Sequence, residues 1–141
     1  MIKKGTAVWK GGIKDGGGLI STETGVLRDT PYGFKSRFEG GPGTNPEELL
    51  GAAHAACFSM ALAGKLGEAG MTAQKIETTA AVTLEKKAGS FLITASHLSL
   101  VATIPGADRV KFEAIANVAK SDCPVSRLFN ASITLEMQLV G

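Results

Sequence analysis

Charge of one sign is in short supply in this sequence. Fifteen Lys and Arg stand against 13 Asp and Glu, a formal net charge of +2. The lysines also lie beside acidic residues rather than in a run, so no nucleic-acid partner is expected. Cysteine is scarce: Cys57 and Cys123 are the only two, with no C-x-x-C spacing. Histidine is equally scarce, with His54 and His97 and no H-x-x-x-H. A structural zinc site wants about four N, O or S ligands with a close-spaced pair, so no metal is expected, and no cofactor either. The charge-free apolar run over residues 49–64 is shorter than the roughly 20 residues of a membrane helix and contains a histidine, so no membrane association is expected. The opening MIKKGTAVWK has basic residues but no apolar stretch behind them, unlike a secretory signal. The glycine cluster KGGIKDGGGL lacks the GK[ST] ending of a phosphate loop. Together these absences point to the cytoplasm, where two thiols stay reduced and form no structural disulfide framework.

What is present is the profile of a folded protein. Hydrophobic residues make up 44% and charged residues 20% of the 141, as in soluble globular domains. No repeat or linker is visible, so residues 1–141 are expected to form one α+β domain. KGGIKDGGGL reads as the turn of a long hairpin. Residues 19–38 read as further short strands, ending in the strand-like GFKSRFEG. Asn45, Pro46 and Glu48 form a helix-start pattern, with a capping asparagine, a proline in the first turn and a glutamate three residues on. The helix that follows is small or apolar on every side, as expected of a central helix covered all round. Two strands follow, with alternation at Ile76, Thr78, Ala80, Val82 and Leu84 and a turn at Ala88-Gly89-Ser90. Residues 108–120 have helical spacing, CPVS starts a short helix or turn, and Ile133 to Leu139 alternate as a final strand.

The residues able to do chemistry leave alternatives open. Cys57, eleven residues into its helix, reads by itself as a small buried hydrophobe. Cys123 precedes Pro124 at a helix N-terminus, where free N–H groups favour a thiolate, so local electrostatics rank it the more acidic thiol. A reactive Cys57 would need a separate cation. Arg37 could supply one, or be an ordinary surface strand arginine. Glu47 and Glu48 complement the helix dipole, and one of them could hold Arg37. His54, three residues before Cys57, reads as a core or interface histidine rather than half of a Cys-His hydrolase pair.

PYGFKSRFEG, GTNPEELLGAAHAACFSMAL, LGEAG and CPVS resemble the OsmC/Ohr family of thiol peroxidases, over nearly the whole chain. The AAHAAC before the first cysteine is more similar to the osmotically inducible branch. The resemblance implies an OsmC-like fold, with antiparallel sheets wrapped around long central helices and completed in an intertwined homodimer. It implies that Cys57 attacks the peroxide and Cys123 resolves the sulfenic acid as an intramolecular disulfide, with Arg37 and Glu47 activating the site. That overturns the local ranking of the thiols. Organic hydroperoxides are the implied substrates, hydrogen peroxide a weaker one, and a dithiol donor (a lipoyl protein or a thioredoxin) the implied reductant, in oxidative and osmotic stress defence. Phe34, Phe38, Phe58 and Met60 are candidates to hold an alkyl chain. A non-enzymatic redox sensor or stress-related ligand-binding protein using the same cysteines is the alternative. Glu47 and Cys57 lie about 15 Å apart along their helix and about 80° apart around it. An arginine serving both therefore suggests that Glu47 comes from the partner chain.

Overall fold

A computed structural model describes all residues, 1–141. The chain forms two compact units, Met1–Leu49 and Leu50–Gly141, and the boundary falls within a continuous helix.

In the first unit, β1 (Gly5–Lys10), β2 (Gly17–Thr22) and β3 (Thr30–Tyr32) form an antiparallel sheet in the order β1-β2-β3. The hairpin expected around the glycine cluster is present, with Lys10 opposite Gly17. The strand expected at GFKSRFEG is absent. Phe34–Phe38 is a short helix, α1, because Gly33 N–H donates to Ser36 Oγ (2.9 Å) and that hydroxyl donates to the Gly33 carbonyl (3.0 Å). This reciprocal cap closes a helical turn where the apolar alternation suggested extension.

Helix α2 spans Pro46–Glu68. Its start is capped as the sequence suggested: Asn45 Oδ1 accepts from Glu48 N–H at 2.8 Å. By length and composition alone α2 could cross a membrane, but one stripe of it, Gly51, His54, Phe58, Leu62 and Leu66, is buried. The expectation of cover on every side is not met within one chain, for Ala52, Ala53, Ala56, Met60, Ala63 and Gly64 are exposed. These residues are small or apolar, so their pattern does not distinguish an open face from a covered one.

In the second unit, β4 (Lys75–Lys87) and β5 (Ser90–Thr103) form a long hairpin whose turn has positive φ at Ala88 and Gly89. Helices α3 (Arg109–Asp122) and α4 (Pro124–Leu128) lead to β6 (Ser132–Val140). The sheet order is β4-β5-β6, and β6 pairs with β5 in parallel rather than antiparallel as expected. The reason is the crossover: α3 and α4 return the chain to the end of the sheet at which β5 began. Phe58, Leu62 and Leu66 of α2, Leu98, Leu100 and Ala102 of β5, and Phe112, Ala116 and Ala119 of α3 make the core. At Gly51 α2 lies close against β4: a Cβ there would lie 2.9 Å from the Ala80 carbonyl oxygen.

Candidate active site

At the end of the first unit, α1 is tied to the α2 cap by Asn45 Nδ2, which donates to the Ser36 carbonyl at 3.1 Å. This sets Arg37 beside the first turn of α2. Arg37 Nη2 donates to Glu47 Oε1 at 2.7 Å, and its Nε lies 3.2 Å from both carboxylate oxygens. Two donors on one carboxylate fix the guanidinium plane as well as its position. Of the two candidate glutamates, Glu47 holds Arg37, while Glu48 accepts from the Thr44 hydroxyl at 2.7 Å. The sequence reading that drew Glu47 from a partner chain to meet Arg37 is corrected, since the two pair within one chain. Nor does Phe38 face away from Arg37, as a strand would require: the guanidinium lies 5.4 Å from its ring centre. A pocket of about 300 Å³ adjoins the pair, lined by Trp9, Ile13, Tyr32, Phe34, Phe38 and Pro46 among others. Of the four apolar candidates, Phe34 and Phe38 line this pocket. Phe58 does not, being fully buried in the core of the second unit, and Met60 is on the open face of α2.

In the second unit Cys57 and Cys123 come together as free thiols. Cys123 is the joint between two helices. Its N–H donates to the Ala119 carbonyl to end α3, and its carbonyl accepts from Arg127 N–H within α4. Its side chain is fully buried. Cys57 is half-buried, hydrogen-bonded to the Cys123 thiol and to the backbone of Val125. Burial and the neighbouring thiol push the Cys57 thiol above its ordinary value, and the Val125 N–H opposes that rise. The free N–H of α4 that the sequence assigned to Cys123 therefore serves Cys57. Lys65, the basic residue closest to Cys57 along the helix, is committed to Asp122 at 2.8 Å.

His54 is fully buried, with Nδ1 2.7 Å from Ser96 Oγ and Nε2 2.7 Å from Ser126 Oγ. Burial holds its pKa below the ordinary histidine value. Both ring nitrogens face serine hydroxyls, so neither is placed to take a proton from Cys57, and the hydrolase reading fails on geometry. Sequence reasoning missed Val125, Ser96 and Ser126. Ser96 and Ser126 lie 42 and 72 residues from His54, and only the "CPVS" string marked the segment holding Val125 and Ser126.

A family model described as OsmC-like protein matches residues 38–138. The chain belongs to the OsmC-like family. The matched span contains Glu47, Cys57 and Cys123, and begins one residue after Arg37. Peroxiredoxin OsmC of Escherichia coli is 56% identical over 137 residues, covering 97% of this chain and 96% of that protein. Organic hydroperoxide resistance protein OhrB of Bacillus subtilis is 30% identical over 86% of this chain and 88% of its own. The crystal structure of OhrB matches with a TM-score of 0.72 over 96% of this chain and 98% of that one. An OsmC-like protein from Vibrio cholerae shares the fold at a TM-score of 0.75 and 14% identity. This OsmC-like chain thus carries the expected α+β fold, with the parallel β5-β6 pairing as its departure from the antiparallel expectation.

Proposed function

We propose that this chain is a cysteine-based peroxidase that reduces organic hydroperoxides in stress defence, with Cys57 as nucleophile and Cys123 as resolving thiol. Two similar proteins, named as a peroxiredoxin and as an organic hydroperoxide resistance protein, support the activity and the substrate class. The observation that carries the assignment of roles is the Cys57–Cys123 hydrogen bond, with the Val125 N–H on Cys57 rather than on Cys123.

The Cys57 thiolate attacks one peroxide oxygen, the O–O bond breaks, and the alkoxide leaves as an alcohol once protonated. The sulfenic acid on Cys57 is then attacked by the Cys123 thiolate. An S–S bond forms, hydroxide leaves and is protonated to water, and Cys57 is shielded from irreversible oxidation. A dithiol of the lipoyl or thioredoxin type restores both thiols by exchange. The compartment consistent with such donors is the cytoplasm.

Cys57 needs a cation, because burial raises its pKa. Arg37 is bound to Glu47 in the first turn of α2, and Cys57 is ten residues further along that helix, about 15 Å of axial rise. We read the activating cation as Arg37 of a partner chain, positioned by Glu47 of that same chain, in a two-fold homodimer with two equivalent sites. The exposed apolar face of α2 supports this reading, since a second chain would cover it. The aromatic pocket beside Arg37 then holds the hydrocarbon part of the peroxide. We read residues 1–141 as one OsmC-like domain, because no linker separates the two units.

Steady-state consumption of an organic hydroperoxide with a dithiol donor tests the activity. Continued turnover supports the enzyme. Consumption of about one equivalent followed by arrest is the behaviour of a sensor and contradicts it.

A further inference from the structure

His54 has no part in the chemistry just proposed, yet it is a polar residue placed where an aliphatic side chain would fill the core without needing partners. It lies one helical turn before Cys57 on α2, so the two side chains share a face. Both are directed at one short stretch of chain. Cys57 bonds Cys123 and the Val125 backbone, and His54 Nε2 lies 2.7 Å from Ser126 Oγ. The Phe129 ring, just past α4, lies 5.3 Å from the imidazole. Helix α4 is only five residues long. A single turn has little stability of its own and needs tertiary contacts to hold its shape. The His54–Ser126 bond is such a contact, placed beside the thiols.

We infer that His54 is a positioning residue for the thiol pair: through Ser126 it pins α4, keeping the Val125 N–H on Cys57 Sγ and Cys123 within reach of it. This rests on the assignment of Cys57 as nucleophile and Cys123 as resolving thiol. His54 touches neither the peroxide nor the reacting sulfurs. Its effect is on the thiolate fraction of Cys57 and on the speed with which Cys123 attacks the sulfenic sulfur, expelling hydroxide. Ser96, on β5, holds the opposite ring nitrogen at the same distance of 2.7 Å. It anchors the imidazole without touching α4.

The two serines give the test, because each removes one hydrogen bond of equal length from the same ring. Ser96→Ala and Ser126→Ala are compared for thermal midpoint, for the pH profile of Cys57 alkylation, and for the rate of disulfide closure after one equivalent of cumene hydroperoxide. Both variants are expected to melt earlier. Only Ser126→Ala is expected to move the alkylation profile to higher pH and slow closure, by roughly threefold to tenfold, the scale of one ordinary hydrogen bond. Ser126→Thr, which keeps the hydroxyl, restores both. Equal effects of the two alanine variants on the thiol measurements, or none from Ser126→Ala, would overturn the inference while leaving the thiol assignment standing. If the parent protein forms no Cys57–Cys123 disulfide, the thiol assignment itself fails, and the inference with it.

Discussion

Arg37 grips the carboxylate of Glu47 from two nitrogens, the closer at 2.7 Å, and the Glu47 side chain is only 12% exposed. The pair is therefore a preassembled unit at the start of α2 and not two residues meeting across a site. Fixing the guanidinium on a carboxylate limits its motion and presents its remaining N–H groups in one direction.

The first expectation concerns that cation. Arg37→Ala should leave the fold intact and shift the pH profile of Cys57 alkylation upward by at least about one unit, which is roughly tenfold in thiolate at neutral pH. Arg37→Lys should recover only part of the loss, because an ammonium cannot reproduce the two-donor contact. An unchanged profile in Arg37→Ala would remove Arg37 from the site.

The second concerns which chain supplies what. If Arg37 and Glu47 act together on the partner's Cys57, heterodimers of Glu47→Ala with Cys57→Ser should regain about half the parental activity, since one of two sites is complete. Heterodimers of Arg37→Ala with Cys57→Ser should regain the same. Arg37→Ala with Glu47→Ala should regain nothing, since both lesions fall on the same pair. Recovery in that last mixture would mean that the two residues come from different chains.

The third concerns the open face of α2. Ala56→Glu sets a carboxylate in the middle of a face whose neighbours are Ala52, Ala53, Met60 and Ala63. Burying an unpaired charge costs several kcal/mol. Sedimentation should show monomers at assay concentration, with activity lost along with the dimer. A dimeric, active Ala56→Glu protein would place the interface elsewhere.

Much of this was legible in the sequence where the signals are local. The α2 start was marked by Asn45, Pro46 and Glu48, and the hairpins by glycines between apolar runs. Phe34–Phe38 reads as a strand because five residues cannot separate a period of 2 from one of 3.6. The Ser36 hydroxyl, bonding back to Gly33, decides for the helix. Local electrostatics rank Cys123 ahead of Cys57 on signals of the same local kind. A helix N-terminus is visible in sequence, but the atom its free N–H points at is not. The Val125 N–H meets a sulfur 68 positions earlier in the chain. The parallel β5-β6 pairing and the serines on His54 are likewise non-local, and no local pattern encodes them.

The fourth expectation concerns His54 and pH. Its folded pKa lies below the ordinary value, so the native state holds it neutral while the unfolded chain takes up a proton below about pH 6.5. Its contribution to stability is therefore fully present above that pH and declines as pH falls through it. Urea midpoints should drop on acidification below about pH 6.5, and His54→Gln should flatten that part of the curve. An identical pH dependence in the variant would show that other groups cause it.

The central claim is that Cys57 meets the peroxide and Cys123 resolves the product. Its most direct test is mass-spectrometric mapping after one equivalent of organic hydroperoxide, with a sulfenic-acid trap present. The parent protein should give an intrachain Cys57–Cys123 disulfide, Cys123→Ser a trapped sulfenic acid on Cys57 that excess peroxide carries to sulfinic acid, and Cys57→Ser no oxidation. A sulfenic acid trapped on Cys123 in Cys57→Ser, at the rate at which the parent protein is oxidised, would reverse the roles and contradict the account.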